Sequence, residues 1–467
     1  MAVMTRVVII GGGPGGYEAA FTAARAGAHV TIVEELGLGG SAVLTDCVPS
    51  KTLIATAELM TISASSGALG LRVNGDEPTP GVVAVDLGVV NGRVRDLASA
   101  QSADIVSQLE DLRVRIVRGR GRLAGPSVVV ADLGRGGSEA IEADVVLVAT
   151  GARPRVVAEA EPDGERILTW DQLYNIESIP EHMIVVGSGV TGAEFASAFT
   201  SLGSKVTLVS SRDRVLPGED ADASQVLEDV FLRRGMNLLN QSRAQSVVRQ
   251  GDGVVVTLTD GRTVEGSHCL MAVGSVPNTA NMGLLEAGVA LNDMGYIIAD
   301  RVSRTSARGV YAAGDVTGVL MLASVAAAQG RIAMMHHLGE AVTPLHLDSV
   351  SSNVFTDPEI ATVGITQKQI DEEGLDVHTV KMPLSTNARA KMQGISDGFV
   401  KLHCRSGSGM VVGGVVVAPR ASELIFPISM AVEQRLSVDH IAGTFAVYPS
   451  LTGSVAEAAR QLHQQRL

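Results

Sequence analysis

The sequence predicts an α/β fold with two Rossmann-like dinucleotide-binding domains and a C-terminal α+β domain. Two segments, beginning near Arg6 and Met183, each show the pattern of a strand, a glycine-rich turn, a helix and a second strand. From about residue 349 the pattern changes to alternating strands followed by helices. The repetition of the first pattern indicates two nucleotide-binding domains in one chain.

Length and composition narrow the class of protein. With 467 residues, 46% of them apolar, the chain is too long for one hydrophobic core and predicts two or three domains. A net charge of −13 and an aromatic content of only 3% disfavour a nucleic-acid partner. Binding to nucleic acid needs a basic face for the phosphates and, for single strands, aromatic rings for base stacking.

The N-terminal region and the cysteines indicate a cytoplasmic protein. The apolar run from Val7 to Ile10 is too short for a signal-peptide core, and no stretch is long enough to span a membrane. Cys47, Cys269 and Cys404 lie far apart and lack metal-ligand spacing. We therefore expect neither a disulfide framework nor a metal site.

The first glycine-rich turn has the GxGxxG spacing at Gly11, Gly13 and Gly16, directly after a strand and at the start of a helix. In such a turn the first glycine permits the bend, the second lets a pyrophosphate approach, and the third lets helix and strand pack closely. Glu34 follows 23 residues after Gly11, at the end of the second strand. A carboxylate there is placed to bind ribose hydroxyls, although three glycines at this spacing alone are a weak signal.

The second glycine-rich turn repeats the spacing but lacks the acid. Ser210 stands 23 residues after Gly187, and Arg212 follows it. Without a carboxylate a 2′-phosphate is not repelled, and Arg212 is able to pair with one. We expect both NADH and NADPH to be used, while an Arg212 that only faces solvent remains open as the alternative.

Eight segments together make the chain resemble the flavoprotein disulfide reductases, the group of lipoamide dehydrogenase, glutathione reductase, mercuric reductase and soluble transhydrogenase. The resemblance runs essentially from end to end. These segments are VVIIGGGPGGYEAA, VPSK, VLVATGARP, VVGSGVTGAEFA, VGSVPNT, GVYAAGDVTG, MLASVA and VFTDPEIATVGIT.

The resemblance implies an FAD site in the first part of the chain, an NAD(P)H site in the second, and a C-terminal dimerisation domain. The implied domains are residues 1–150 and 276–348 for FAD, 151–275 for NAD(P)H, and 349–467 for the interface of a homodimer. The implied FAD residues are Gly11, Gly13, Gly15, Gly16, Glu34, Lys51, Gly121, Thr150, Gly151, Gly314, Asp315, Met321, Leu322 and Ala323. The implied NAD(P) residues are Gly187, Gly189, Gly192, Glu194, Ser210, Arg212 and Gly274. Lys51 and Glu194 match the buried ion pair beside the flavin in this family.

The departures from the family pattern decide the predicted function. Relatives place a second cysteine before the flavin-proximal one, but here Ala42 occupies that position and Cys47 has no neighbouring thiol in the sequence. Relatives also carry a His-Pro pair followed by Glu, whereas this chain has Tyr448 before the proline and Gly453 at the Glu position. A tyrosine with a pKa near 10 does not replace imidazole as a base at neutral pH.

We therefore predict that electrons pass from nicotinamide to flavin and then directly to a small-molecule acceptor of the quinone type. Tyr448 and Phe445 are candidates to line the acceptor pocket, with simple interface packing as the alternative. Cys47 is either a thiolate that contacts the flavin or a packed residue without a redox role. A soluble pyridine nucleotide transhydrogenase and a non-catalytic redox sensor that binds flavin and nicotinamide are the other functions that the sequence allows.

Overall fold

The computed structural model describes residues 4–78, 83–134 and 136–465. The chain divides into two compact units. The first unit contains residues up to Thr52 together with Asn91–Arg155 and Gly274–His346; the second contains Leu53–Val90, Val156–Val273 and the residues from Leu347 onward. The four predicted domain ranges stay a prediction, since this division is coarser than they are.

A five-stranded parallel sheet forms the centre of the first unit. Its apolar strands are buried on both faces, as is typical of parallel sheets covered by helices. In spatial order the strands are Val310–Ala312, Val145–Val148, Arg6–Ile10, His29–Glu34 and Arg115–Arg118. The first strand is central, so the turn that follows it opens at the carboxyl edge of the sheet, where nucleotides bind in such folds.

Smaller sheets and helices complete the first unit. A three-stranded antiparallel sheet consists of Arg120–Leu123, Val128–Gly134 and Gly137–Glu142, and a two-stranded one of Ala152–Pro154 and Ser275–Pro277. The helices are Pro14–Arg25, Gly40–Leu44 and Ala323–His337, with a 3-10 turn at Asp315–Thr317. The helices Cys47–Ser65 and Leu87–Asp111 each contain a boundary between the two units.

The second unit repeats the parallel arrangement. Its first sheet has the order Asn237–Leu239, Lys205–Val209, His182–Val186, His268–Met271 and Ile167–Thr169. A three-stranded antiparallel sheet consists of Ala244–Gln250, Gly253–Leu258 and Thr263–Gly266. The helices of this part are Val190–Ser201 and Ala221–Arg233, and 3-10 turns span Ser66–Leu69 and Trp170–Asn175.

The C-terminal part of the second unit is an antiparallel sheet covered by helices. The strand order is Ser352–Val354, Glu359–Gly364, Val411–Ala418, Phe399–Arg405 and Val377–Pro383. The helices are Gln367–Glu373, Ala388–Met392, Ala421–Leu424, Phe426–Glu433, Val438–Gly443 and Gly453–Gln465, with 3-10 turns at Leu347–Ser349 and Leu384–Thr386. The last helix packs its buried alanines and Leu462 into the core of this part.

The predicted fold class is confirmed by these two parallel sheets and the C-terminal α+β arrangement. The helix Leu87–Asp111 leads into the strand Arg115–Arg118. Arg113 adopts a left-handed conformation with φ of +60°, and the N–H of Val114 bonds back to the carbonyl of Leu109, which ends the helix.

Candidate functional site

Steric contacts explain two glycines of the first turn. Gly11 has φ of +103°, and a Cβ atom there would overlap the carbonyl oxygen of Ala149, the residue after the neighbouring strand Val145–Val148. A Cβ atom on Gly16 would overlap the carbonyl oxygen of Gly11. Glycine at both positions therefore allows the first strand to turn at once into the helix Pro14–Arg25.

The middle glycine leaves space at the start of this helix. Gly13 is the N-cap, and no side chain caps the first turn. A Cβ on Gly13 would come no closer than 3.9 Å to any atom beyond its neighbours, the nearest being the Cα of Gly40. The open helix N-terminus fits the pyrophosphate of a dinucleotide, because its N–H groups and positive end of the dipole favour an anion.

Gly15 serves packing between two helices. A Cβ atom on Gly15 would lie 3.1 Å from the Cβ of Ala313 and 3.2 Å from the carbonyl oxygen of Ala326. Opposite it, a Cβ on Gly330 would overlap the carbonyl oxygen of Gly15. The helix Ala323–His337 can therefore cross the first helix closely only with glycine at both contact points.

Glu34 fixes the turn from the end of the second strand. Its Oε2 accepts a hydrogen bond from the backbone N–H of Gly12, while Oε1 accepts from the N–H groups of Leu36 (2.7 Å) and Gly37 (3.1 Å). Three N–H donors hold this carboxylate at the edge of the sheet. Its remaining acceptor capacity suits ribose hydroxyl groups.

Four of the predicted FAD residues meet around one cavity of about 560 Å³: Gly11, Glu34, Gly121 and Thr150. Gly121 also serves packing, because a Cβ there would lie 2.7 Å from a methyl group of Ile10. The cavity is further lined by Arg120, Arg153 and Asn278, which the sequence reasoning did not select. The arginines bring positive charge to a site predicted for a diphosphate.

Asn278 joins the predicted Thr150–Gly151 segment to its neighbouring strand. Its side-chain nitrogen donates to the carbonyl of Thr150 (2.9 Å), its backbone N–H donates to the carbonyl of Gly151 (3.0 Å), and the hydroxyl of Thr150 donates to its carbonyl (2.9 Å). Its side-chain oxygen also accepts from Arg153 at 3.0 Å. The sequence could have indicated this role, because Asn278 lies in VGSVPNT, one of the eight segments that resemble the family.

Asp315 lies in the 3-10 turn after Gly314, whose φ is +81°. Burial, followed by the nearby Asp46 carboxylate, raises the pKa of Asp315 to about 6. A partly desolvated carboxylate is stabilised by hydrogen-bond donors. The hydroxyls of the ribitol chain of FAD would supply such donors, so Asp315 fits the FAD site that the resemblance implies for it.

The segment around Cys47 departs from a disulfide arrangement. Cys47 opens the helix Cys47–Ser65, which also carries the partly buried Lys51, while Ala42 lies in the preceding short helix Gly40–Leu44. All three cysteines lie within the described residues, and no disulfide joins any two of them. Cys269 and Cys404 are buried in strands.

The glycine turn of the second unit repeats the geometry of the first. Gly187 has φ of +113°, and a Cβ there would overlap the carbonyl oxygen of Ala272, the residue after the neighbouring strand His268–Met271. A Cβ on Gly192 would overlap the carbonyl oxygen of Gly187, and a Cβ on the N-cap Gly189 would meet nothing within 4 Å. Both turns therefore leave the same open helix N-terminus.

A pair of hydroxyls replaces the carboxylate contact in this second turn. Ser210 is fully buried, and its Oγ lies 2.7 Å from the Oγ of Ser188, which occupies the position that Gly12 has in the first turn. The Ser210 hydroxyl is thus engaged within the turn. Arg212 is exposed, and among the described residues its guanidinium has no ion-pair partner. This cation is available to a 2′-phosphate.

Glu194 is buried on the helix Val190–Ser201. Its Oε1 accepts a hydrogen bond from the backbone N–H of Phe355 at 2.8 Å, and one turn later Ser197 accepts from the N–H of Asp357 at 3.2 Å. The C-terminal part of the second unit thus orients Glu194. Its predicted pairing with Lys51 stays a prediction, since the two residues belong to different compact units.

The remaining predicted residues lie in several places. Gly274 has φ of +93° and belongs to the first unit, unlike the other predicted NAD(P) residues. Leu322 caps the helix Ala323–His337, and Met321 before it is 44% exposed. Tyr448 is 84% exposed and precedes the helix Gly453–Gln465, at whose first position relatives carry a glutamate.

The described residues contain neither a candidate metal site nor a helix suited to span a membrane. Among residues 4–78, 83–134 and 136–465, no group of three or more His, Cys, Asp or Glu side chains could hold a metal ion. Within the same ranges, no helix has both the length and the apolar character needed to cross a membrane.

Comparison with family models matches residues 5–330 to the pyridine nucleotide-disulphide oxidoreductases and residues 350–459 to the dimerisation domain of the same group. The chain belongs to this oxidoreductase family. The resemblance inferred from the eight segments is therefore confirmed, and the C-terminal α+β part corresponds to the family's dimerisation domain.

Two relatives show the range of this pyridine nucleotide-disulphide oxidoreductase family. An NAD(P)H dehydrogenase (quinone) of Mycobacterium tuberculosis is 54% identical, over 98% of this chain and 94% of its own length. A dihydrolipoyl dehydrogenase of Chlorobaculum parvum is 33% identical, over 97% of this chain and 96% of its own length.

Solved structures agree with this family fold. The crystal structure of LpdA from M. tuberculosis shares 54% identity and a TM-score of 0.93, covering 98% of this chain and 100% of LpdA. The HOCl-induced flavoprotein disulfide reductase RclA from Escherichia coli shares 24% identity and a TM-score of 0.85, covering 97% of this chain and 99% of RclA. The second likeness supports the fold alone.

Proposed function

We propose that this family member is an FAD-dependent NAD(P)H:quinone oxidoreductase that does not reduce disulfides. The observation that carries the proposal is the lone Cys47: Ala42 stands where the family has a second cysteine, and the other two thiols are buried in strands. The 54% identical relative named NAD(P)H dehydrogenase (quinone) supports the quinone as acceptor.

The chain's own residues bind and orient the two nucleotides. When bound, FAD supplies two-electron chemistry between a nicotinamide and an acceptor. The helix N-terminus at Gly13 would hold the FAD pyrophosphate, Glu34 the ribose hydroxyls, and Asp315 the ribitol side. The turn at Gly189 would hold the nicotinamide dinucleotide in the same manner.

Lys51 and Glu194 form the second part of the proposal. As in the family they resemble, the ammonium of Lys51 would stabilise negative charge beside the flavin, and Glu194 would orient it. The hydrogen bond from the Phe355 N–H supports this role, because it fixes one carboxylate oxygen of Glu194.

The protein is proposed to be a cytoplasmic homodimer. The site for the electron acceptor is proposed to lie near the contact between its subunits. Phe445, Val447 and Tyr448 are at least 79% exposed, and Phe445 lines an apolar groove of about 260 Å³ on the dimerisation domain. An exposed apolar surface of this kind is typical of a subunit contact. The hydroxyl of Tyr448 would donate a hydrogen bond to a quinone oxygen there. The cytoplasmic location is supported by the three cysteines, which form no disulfide and suit a reducing compartment.

An acceptor panel tests the proposal. With NADPH as donor, the purified protein is expected to reduce benzoquinones and naphthoquinones. Lipoamide and glutathione disulfide should react at least about 100-fold more slowly, because the acid-base group for thiol chemistry is missing. Absorbance of NADPH under anaerobic conditions measures each rate.

Two further measurements make the panel decisive. Cys47→Ser should keep the quinone rate, since no thiol takes part in the proposed reaction. Hydride exchange from NADPH to an oxidised nicotinamide analogue faster than quinone reduction would favour a transhydrogenase instead. Rapid turnover of lipoamide by the unmodified protein would contradict the proposal.

Arg212→Ala is expected to raise the KM for NADPH while the KM for NADH stays unchanged. The guanidinium is exposed and without an ion-pair partner among the described residues, so it is available to the 2′-phosphate that only NADPH carries. Loss of a charge-assisted contact corresponds to about 10- to 100-fold in affinity. Initial rates with both donors at fixed quinone measure the two constants; an equal rise for NADH would assign Arg212 a purely structural role.

A further inference from the structure

Gln329 is a buried polar side chain on the helix Ala323–His337. Only 3% of its surface is exposed. The sequence pattern assigns Gln329 no role. A buried amide needs hydrogen-bond partners for both its oxygen and its nitrogen. Its partners therefore show which part of the fold requires it.

Both ends of the Gln329 amide contact the turn that presents Asp315. Oε1 accepts the backbone N–H of Gly314 at 2.7 Å, and Nε2 donates to the Oγ1 of Thr317 at 3.4 Å. The Thr317 hydroxyl in turn donates to the carbonyl of Gly314 at 2.8 Å. The three residues form a closed ring that fixes both peptide groups of Gly314.

This ring holds a backbone conformation that the sequence alone would leave loose. Gly314 has φ of +81°, and glycine populates many other conformations with similar ease. Without the Gln329 oxygen the buried N–H of Gly314 would lack this acceptor, and the turn would relax to expose it. The Asp315 carboxylate would then lose its fixed direction.

Gln329 also connects this turn to a second part of the predicted flavin site. It lies on the helix that begins at Ala323, directly after Met321 and Leu322, whose backbone would flank the flavin ring if the family resemblance holds there. One side chain thus ties the ribitol side of the site to the helix beside the ring. Close packing of Gly330 against Gly15 holds the same helix against the first glycine turn.

We propose that Gln329 is a positioning residue for FAD, which it pre-organises through Gly314 without contacting the cofactor. This inference rests on the proposed FAD-dependent function. The expected effect is a population shift. The apparent affinity for FAD is proportional to the fraction of molecules whose turn has the binding conformation, and loss of the Gln329 contact lowers that fraction.

Release of FAD from the full-length holoenzyme tests the proposal. Gln329→Met keeps the length of the side chain but removes the acceptor for Gly314. After dilution, FAD fluorescence should show a dissociation constant raised by about 5- to 150-fold, the range that an unsatisfied buried N–H corresponds to. Gln329→Glu keeps an acceptor oxygen and should bind FAD more tightly than Gln329→Met.

Two controls separate positioning from general damage. Ser303→Ala removes a buried hydroxyl that donates to the Gln329 carbonyl, not to the Asp315 turn, and should leave FAD release unchanged. Excess FAD should restore the kcat of Gln329→Met to the unmodified value, which a distorted fold would not allow. Equal FAD release by Gln329→Met and the unmodified protein would overturn the inference, whereas an unmodified protein without affinity for FAD would instead overturn the proposed function.

Discussion

Gly187→Ala is expected to raise the KM for NADPH by at least about 100-fold while FAD stays bound. A φ of +113° is strained for alanine, at about 1–3 kcal/mol, and the added methyl would in addition overlap the carbonyl oxygen of Ala272. The turn must shift to relieve this overlap, which moves the helix N-terminus at Gly189 away from the pyrophosphate. Initial rates with NADPH and the flavin absorption spectrum measure the two effects.

Gly203→Ala is the matched control for this variant. Gly203 lies in the same unit and has φ of +102°, but a Cβ there would meet nothing within 4 Å. It therefore tests the conformational strain without the steric overlap, and its KM for NADPH should stay close to the unmodified value. A Gly187→Ala enzyme with an unchanged KM would remove the second glycine turn from the nicotinamide site.

Lys401→Met is expected to lower the free energy of unfolding by about 3–5 kcal/mol, because it leaves a buried carboxylate uncompensated. The Lys401 side chain is 4% exposed and bonds both oxygens of Asp220, itself 3% exposed, at 2.7 and 2.8 Å. Asp220 is the N-cap of the helix Ala221–Arg233, so the pair joins this helix to the C-terminal sheet of the same unit. Hydrogen exchange of the amides in Phe399–Arg405 and in this helix measures the loss.

Lys381→Met supplies the control for burial. Lys381 lies opposite Lys401 in the strand register and pairs with Asp222, which Lys401 contacts as well. The side chains of Lys381 and Asp222 are both more than 40% exposed. An exposed ion pair of this kind contributes about 0–1 kcal/mol. Equal effects of the two lysine variants would contradict the assignment of the stabilisation to the buried pair.

The glycine turns could be predicted from the sequence because their reasons are local. Gly11 and Gly187 need a positive φ and space beside a neighbouring carbonyl, and no other residue meets both conditions at that spacing. The same spacing predicts Glu34 and Ser210 as the residues that face each turn from the end of its second strand. For Ser210, however, the structure shows a hydroxyl bonded to Ser188, a contact that spacing alone does not reveal.

Residues whose reasons are tertiary were missed. Gln329 stands in an alanine-rich helix, and its partner Gly314 is 15 residues away, so no local pattern distinguishes it from an exposed glutamine. Asn278 bonds to Thr150 across 128 positions of the chain. Lys401 is an intermediate case, because it shares one face of a strand with Phe399 and His403, both of which are buried. A lysine on such a face is buried only when it has a charged partner.

A flavin is proposed to be the sole store of electrons in this protein, because Cys47 forms no disulfide with another cysteine of the described residues. Anaerobic titration of the purified holoenzyme with NADPH counts the electrons that each subunit stores, with the flavin absorbance as the readout. One two-electron uptake per subunit is expected, followed by complete reoxidation with a quinone and none with a disulfide. A second two-electron uptake per subunit would contradict a single electron store.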